Sequence, residues 1–117
     1  MKKEPIFFIQ HITESIGNIE SFMKNITKSS FLKNKEKQNE VLREIEIIGE
    51  AVKNLPLEFT VKYSHIEWNK IAGARDKIIH HYFGIDINII WKMIKEDIPT
   101  LKENMLSIKK LLNEKKN

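Results

Sequence analysis

Apolar residues recur at helical spacing along almost the whole chain, which is typical of amphipathic α-helices. The first stripe comprises Ile9, Ile12, Ile16, Ile19, Phe22 and Ile26. Pro5 suits the first turn of this helix, because a backbone N–H is not needed there. The second stripe comprises Val41, Leu42, Ile45, Ile48, Val52 and Leu55. The polar segment 27–37, between the two stripes, is predicted to be a loop. Pro56 ends the second helix, and residues 57–62 are expected to form one extra turn.

The C-terminal half predicts a third helix from Trp68 to about Phe83, with Gly84 as its C-terminal cap residue. Asp86 then has the position of the N-cap of a further helix. The apolar residues of that helix are Ile87, Ile90, Trp91, Ile94, Leu101, Met105, Ile108 and Leu112. Pro99 interrupts this stripe, so either one kinked helix or two helices would fit.

These patterns together predict an all-α protein, a bundle of four or five helices in a single domain over residues 1–117. No alternating strand pattern and no internal repeat occurs in the sequence. A chain of 117 residues is long enough to bury a core without a metal or a disulfide. The charged tail, residues 113–117, is expected to fray.

Composition narrows the class of protein only a little. The absence of cysteine excludes disulfides, thiolate chemistry and zinc fingers, and it fits a reducing compartment. Twenty basic against sixteen acidic side chains give a net charge of +4, which is compatible with a polyanionic partner without requiring one. No apolar run approaches the length of a signal-peptide core or a membrane span. We therefore expect a cytoplasmic protein that does not enter a membrane.

The most informative segment has Arg75, then four residues, His80, one residue and Tyr82. It brings together a permanent cation, a group that titrates near neutral pH and a phenol. A ribonuclease that uses the 2′-hydroxyl and no metal needs a general base, a general acid and a cation for the phosphorane oxygens. Histidine can supply the first two roles and arginine the third. From spacing alone, however, an Arg–His pair near a helix end is more often a capping or salt-bridging device.

Helix geometry adds a constraint on this segment. Arg75 and Tyr82 are seven residues apart and fall on nearly the same face, whereas His80 lies about 140° around the helix from Arg75. Long side chains, a helix that loosens before Gly84, or a twofold dimer would bring Arg75 and His80 to one phosphate. A dimer would also supply two histidines, one as acid and one as base.

The chain resembles the HepT family, the HEPN-domain toxins of HEPN–MNT toxin–antitoxin systems. The resemblance is carried by residues 41–51, 66–73, 75–82, 86–91 and 97–101, in order along the chain. It implies a HEPN-type helical homodimer that cleaves RNA without a metal or another cofactor. It also implies that Arg75 and His80 are catalytic, and that an MNT nucleotidyltransferase antitoxin inactivates the protein by attaching AMP to Tyr82.

Three further residues are candidates for supporting roles. Asp76 is expected to orient Arg75 or His80. Whether the second imidazole, that of His81, shares in proton transfer is left open. Glu50, in an otherwise apolar part of its helix, would either pair with Arg75 or Arg43 or simply be exposed. No metal site is expected, and Trp68 and Trp91 are interpreted as packing residues. The alternative function is a non-catalytic interaction module that binds a nucleotidyltransferase and a nucleotide or RNA.

Overall fold

The computed structural model describes residues 4–80 and 86–116; the side chains at positions 75, 77–80, 115 and 116 fall outside this description. In these residues every regular element is helical, which confirms the all-α prediction. The α-helices are α1 (Pro5–Phe22), α2 (Lys28–Lys33), α3 (Lys35–Lys53), α4 (Leu57–Lys62), α5 (Trp68–His80), α6 (Ile87–Lys92) and α7 (Ile98–Lys116). The four longer ones, α1, α3, α5 and α7, are the helices that the apolar stripes predicted.

The core lies between these four helices. α1 packs against α3 and α7, and α5 packs against the other side of α3. The first stripe is confirmed on α1, which begins at Pro5 and buries Ile9, Ile12, Ile16 and Ile19. The second stripe is confirmed on α3, which buries Val41, Ile45, Ile48 and Val52. α3 thus packs against both α1 and α5.

The segment predicted to be a loop contains α2 and the first turn of α3, so that prediction is wrong for residues 28–33 and 35–37. Thr27 caps this helix by accepting a hydrogen bond from the Ser30 N–H at 3.1 Å. Phe31 is fully buried, and its ring lies 5.7 Å from that of Trp91. Propensity did not predict this turn because two apolar residues in a short polar stretch are a weak signal. Burial of Phe31 against other helices stabilises it.

Replacing Phe31 with alanine is therefore expected to lower the free energy of unfolding by about 3–5 kcal/mol, the usual cost of removing a buried phenylalanine ring. The matched control is Leu32→Ala, because Leu32 is the next residue on α2 and is 40% exposed. The free energy of unfolding of both variants is measured by urea denaturation, monitored by circular dichroism. Equal losses from the two variants would contradict the anchoring role of Phe31.

The short helix α4 confirms the extra turn expected after Pro56. α3 ends at Lys53, and the side-chain amide of its C-cap residue Asn54 donates to the Glu50 carbonyl oxygen at 2.8 Å. Leu55 and Phe59 are buried and join α4 to the core. The chain thereby turns from the end of α3 toward the start of α5.

Asp86 is confirmed as an N-cap, since its carboxylate accepts a hydrogen bond from the Asn88 N–H at 2.9 Å. After α6 the chain widens into a π-helical turn, Met93–Asp97, in which the Ile98 N–H donates to the Met93 carbonyl oxygen. Pro99 accounts for it, because a proline ring clashes with the carbonyl four residues earlier in a regular helix. The outcome is one continuous helical run with a π-helical insertion. α7 extends to Lys116, and fraying of the tail stays a prediction.

Candidate active site

The candidate active site lies on α5, whose start is fixed by Trp68. This side chain is 7% exposed, and its indole N–H donates to the Tyr63 carbonyl oxygen at 3.1 Å. The Phe59 ring lies 6.3 Å from the Trp68 ring. Ile71, Ala72 and Ala74 then pack against the core along the next turn. These contacts set the rotation of α5 about its own axis.

Arg75 and His80 both belong to α5, which is α-helical through His80. An offset of five residues on a continuous α-helix corresponds to a rise of about 7.5 Å and a rotation of about 140°. The helix therefore does not loosen before His80. The side chains of Arg75 and His80 lie outside the described part of the chain, as do His81, Tyr82 and Gly84 altogether. The roles of these residues stay predictions.

Asp76, next to Arg75, is joined to α3 by an ion pair. The Lys53 ammonium donates to the Asp76 carboxylate at 2.6 Å, and both side chains are partly exposed. An exposed pair of this kind stabilises a fold by no more than about 1 kcal/mol. It does tie the end of α3 to α5 beside the Arg–His motif. Lys53 was not predictable from the sequence, because a pair separated by 23 residues leaves no local pattern.

Glu50 lies exposed on α3, one turn before the end of that helix. Its carboxylate oxygen Oε1 is 3.5 Å from the amide nitrogen of Asn54. Arg43 is exposed two turns earlier on the same helix. Pairing of Glu50 with Arg75 or Arg43, and orientation of Arg75 by Asp76, stay predictions.

Sequence analysis also missed a buried carboxylate, Glu44, between α1 and α3. This residue is 7% exposed, and its Oε1 accepts a hydrogen bond from the Asn18 amide at 2.7 Å. Its Oε2 has no hydrogen-bond partner within residues 4–80 and 86–116. A buried carboxylate is costly unless it is hydrogen-bonded, so the bond to Asn18 is the interaction that offsets part of this cost. The pair links α1 to α3 away from α5.

A cleft of about 400 Å³ opens beside the candidate active site. One wall is α5, the other is the π-helical turn with the start of α7, and α3 forms the floor. The ammonium of Lys70, on α5, lies 3.5 Å from the carboxylate of Asp97, on the π-helical turn. Sequence analysis did not find this cleft, because it depends on how two distant helices pack.

Contacts define the surroundings of the two tryptophans and of His11. Trp68 and Trp91 are confirmed as packing residues; Trp91 contacts the Phe31 ring, and the Lys95 ammonium lies 4.7 Å from the centre of its indole. His11 is exposed and stacks edge-on against Phe7 at 4.5 Å. Among the described residues, no three His, Asp or Glu side chains are grouped so as to hold a metal ion. No helix in that same part of the chain is long and apolar enough to cross a membrane.

Comparison with known proteins gives consistent matches over the whole bundle. The model of the family described as "Ribonuclease HepT-like" matches residues 12–108. A protein of Thermococcus cleftensis named "Probable ribonuclease HepT" is 43% identical over 110 residues, which cover 94% of this chain and all of that protein. A protein of Caldanaerobacter subterraneus named "Putative RNase" is 42% identical over 106 residues, or 91% of this chain and 95% of that one.

A longer relative occurs in Methanocaldococcus jannaschii. It is named "Gamma-glutamylcyclotransferase and putative RNase" and is 47% identical over all 117 residues, which span only 53% of its own length. No solved structure matches the chain. The family match includes the whole of α5 and the Arg75–Tyr82 segment, and it agrees with the helical bundle described above. The chain therefore belongs to the HepT-like ribonuclease family.

Proposed function

We propose that this protein is an endoribonuclease that cleaves RNA without a metal ion, with Arg75 and His80 as its catalytic residues. The observation that carries the proposal is the family match over residues 12–108, supported by relatives named as ribonucleases. The residue types in the matched motif suit the reaction, because one histidine and one arginine provide proton transfer and a fixed positive charge.

The proposed reaction is an intramolecular transesterification of the RNA backbone. The 2′-hydroxyl loses its proton to a general base, and the 2′-oxygen forms a bond to phosphorus. The bond from phosphorus to the 5′-oxygen breaks, and a general acid protonates that leaving oxygen. The products are a 2′,3′-cyclic phosphate and a 5′-hydroxyl. Arg75 stabilises the extra negative charge on the phosphorane oxygens.

The geometry of α5 supports the proposal that the protein is a homodimer. Because α5 is a continuous α-helix from Arg75 to His80, one chain presents these two residues about 140° apart. A twofold axis beside α5 would place Arg75 of one chain near His80 of the other, and it would provide two histidines for the base and acid roles. The ion pair between Lys53 and Asp76 would hold each α5 in place against α3.

We therefore expect a stable dimer in solution. Sedimentation velocity or light scattering should give a mass near twice 13.8 kDa. If the sites are shared, a mixture of inactive Arg75→Ala and His80→Ala chains should regain part of the activity, because one of the two sites in a heterodimer can be intact. A fully active monomer would contradict the shared site.

The proposed role in the cell is that of a toxin in the cytoplasm, controlled by an MNT-type nucleotidyltransferase that attaches AMP to Tyr82. The support is the resemblance of the Arg–x₄–His–x–Tyr motif to the HepT family and the spacing of seven residues between Arg75 and Tyr82, which on an α-helix corresponds to nearly the same face. The modified phenol would therefore lie beside the cation that binds the RNA phosphate.

The test of the proposed function is cleavage of an unstructured RNA by the purified protein in excess chelator. Cleavage that disappears in His80→Ala supports the ribonuclease. Binding to a nucleotidyltransferase with no cleavage at all would instead favour the non-catalytic interaction module. Expression of the chain alone should arrest growth, and His80→Ala should relieve the arrest.

A further inference from the structure

The cleft beside α5 has the position of a substrate subsite. Its α5 wall includes Lys70, Ile71 and Ala74, which lie on one face of the helix. Ala74 directly precedes Arg75, so the cleft ends where the proposed catalytic segment begins. The cleft is therefore placed to receive a nucleotide next to the phosphate that Arg75 is proposed to bind.

The interior of the cleft suits a flat, uncharged ring. Ile45 and Ile48 of α3 form the floor, and Leu101 and Met93 contribute to the opposite wall. A volume of about 400 Å³ lies within the range of about 300–1,000 Å³ that small-molecule sites occupy. Enzymes that act on nucleic acids hold extruded bases between apolar side chains and read their Watson–Crick edge with polar groups.

The mouth of the cleft carries such polar groups. The Lys70 ammonium and the Asp97 carboxylate lie 3.5 Å apart, so a hydrogen-bond donor stands beside a pair of acceptors. Guanine presents the complementary edge, with O6 as an acceptor next to the N1–H and N2–H donors. Uracil offers one donor between two acceptors, and cytosine and adenine each have an amino group beside an acceptor ring nitrogen. Guanine alone can satisfy both side chains in full.

Charge keeps the phosphates out of the cleft. Glu67 and Glu96 join Asp97 along the mouth, and only Lys70 lines the cleft as a permanent cation within the described residues. The Lys92 ammonium, outside the cleft, lies 4.0 Å from the Glu96 carboxylate. Carboxylates repel the RNA backbone, while a neutral base is not repelled. The π-helical turn, a form of helix often found at functional sites, is the element that carries Glu96 and Asp97.

We infer that this cleft binds a guanine base of the RNA substrate, with Lys70 donating to O6 and Asp97 accepting from N1–H and N2–H. This inference rests on the proposed ribonuclease function. It adds a base preference next to the cleavage site, which the family match does not specify.

The test compares cleavage of single-stranded RNA oligonucleotides that contain one guanine with oligonucleotides that carry inosine, adenine, cytosine or uracil at that position. Inosine lacks only the N2 amino group, so kcat/KM should fall about tenfold through the loss of one hydrogen bond to a charged acceptor. Asp97→Asn should lower kcat/KM for the guanine substrate about tenfold. The ratio of kcat/KM for the guanine substrate to kcat/KM for the inosine substrate should then approach one. Lys70→Met should lower kcat/KM for the guanine and inosine substrates about equally, because both bases carry O6.

Glu103→Gln is the matched control, since Glu103 is exposed on α7 and does not line the cleft. This variant should keep the parent protein's ratio of kcat/KM for the guanine substrate to kcat/KM for the inosine substrate. Circular dichroism checks that every variant is folded.

Equal cleavage of all five substrates by an active parent protein would overturn the guanine site and leave the ribonuclease function standing. Loss of binding to a nucleotidyltransferase in the Asp97 and Lys70 variants, with an unchanged base preference, would assign the cleft to a protein partner and also overturn it. Absence of cleavage for every substrate would instead count against the proposed function itself.

Discussion

Replacing His80 with alanine is expected to lower RNA cleavage by at least about 10²-fold, because a positioned acid or base typically contributes about 10²–10⁴-fold in rate. Arg75→Ala should have an effect of similar size, since it removes the charge that is proposed to stabilise the phosphorane oxygens. The rate is measured as kcat/KM on a labelled oligonucleotide under excess EDTA. Chelation should leave the parent activity unchanged, because the proposed reaction uses no metal ion.

His11→Ala is the matched control for this experiment. His11 is exposed on α1 and contacts Phe7, and it belongs to no part of the proposed active site. Its replacement should leave cleavage unchanged. Near-full activity of His80→Ala would point to His81, and the double variant His80→Ala, His81→Ala distinguishes the two. If that double variant also keeps full activity, the assignment of histidine as the proton-transfer group is wrong.

Replacing Tyr82 with phenylalanine is expected to separate cleavage from its control. The phenol oxygen is the proposed acceptor of AMP, while the cleavage reaction does not use it. AMP attached to Tyr82 would place a negative phosphodiester near Arg75. Opposite unit charges about 4 Å apart attract each other by about 4 kcal/mol at an effective dielectric of 20. The attached phosphate would thus pair with Arg75, the cation that is proposed to bind the RNA phosphate. The Phe variant should retain ribonuclease activity and resist inactivation by the nucleotidyltransferase and ATP.

Intact-mass measurement after incubation with the nucleotidyltransferase and ATP provides the readout. The parent chain should gain the mass of one or more adenylyl groups, and Tyr82→Phe should gain none. Tyr63→Phe is the matched control, because Tyr63 is buried between α4 and α5 and its hydroxyl has no role in the proposal. That variant should be modified like the parent. Modification and silencing of the Tyr82 variant would mean that another residue accepts AMP.

Much of the fold was predictable because helical periodicity is a local property. The stripes that begin at Ile9 and Val41 are buried on α1 and α3 as expected, and the apolar residues after Asp86 line the same core. Asp86 could be identified as a cap because a cap acts within three residues. α2 escaped prediction, since its stability depends on the contact of Phe31 with Trp91, sixty positions away.

The sequence by itself determined the helical class, the family and the residue types of the candidate site, because each depends on local spacing and short motifs along the chain. The tertiary structure decided what surrounds that helix. Lys53 meets Asp76, Glu44 meets Asn18, and Lys70 meets Asp97 only because distant segments pack side by side. The π-helical turn before Pro99 also sets the wall of the cleft. Spacing along a chain specifies which face of a helix a residue occupies, whereas the partner of that face depends on how the helices pack.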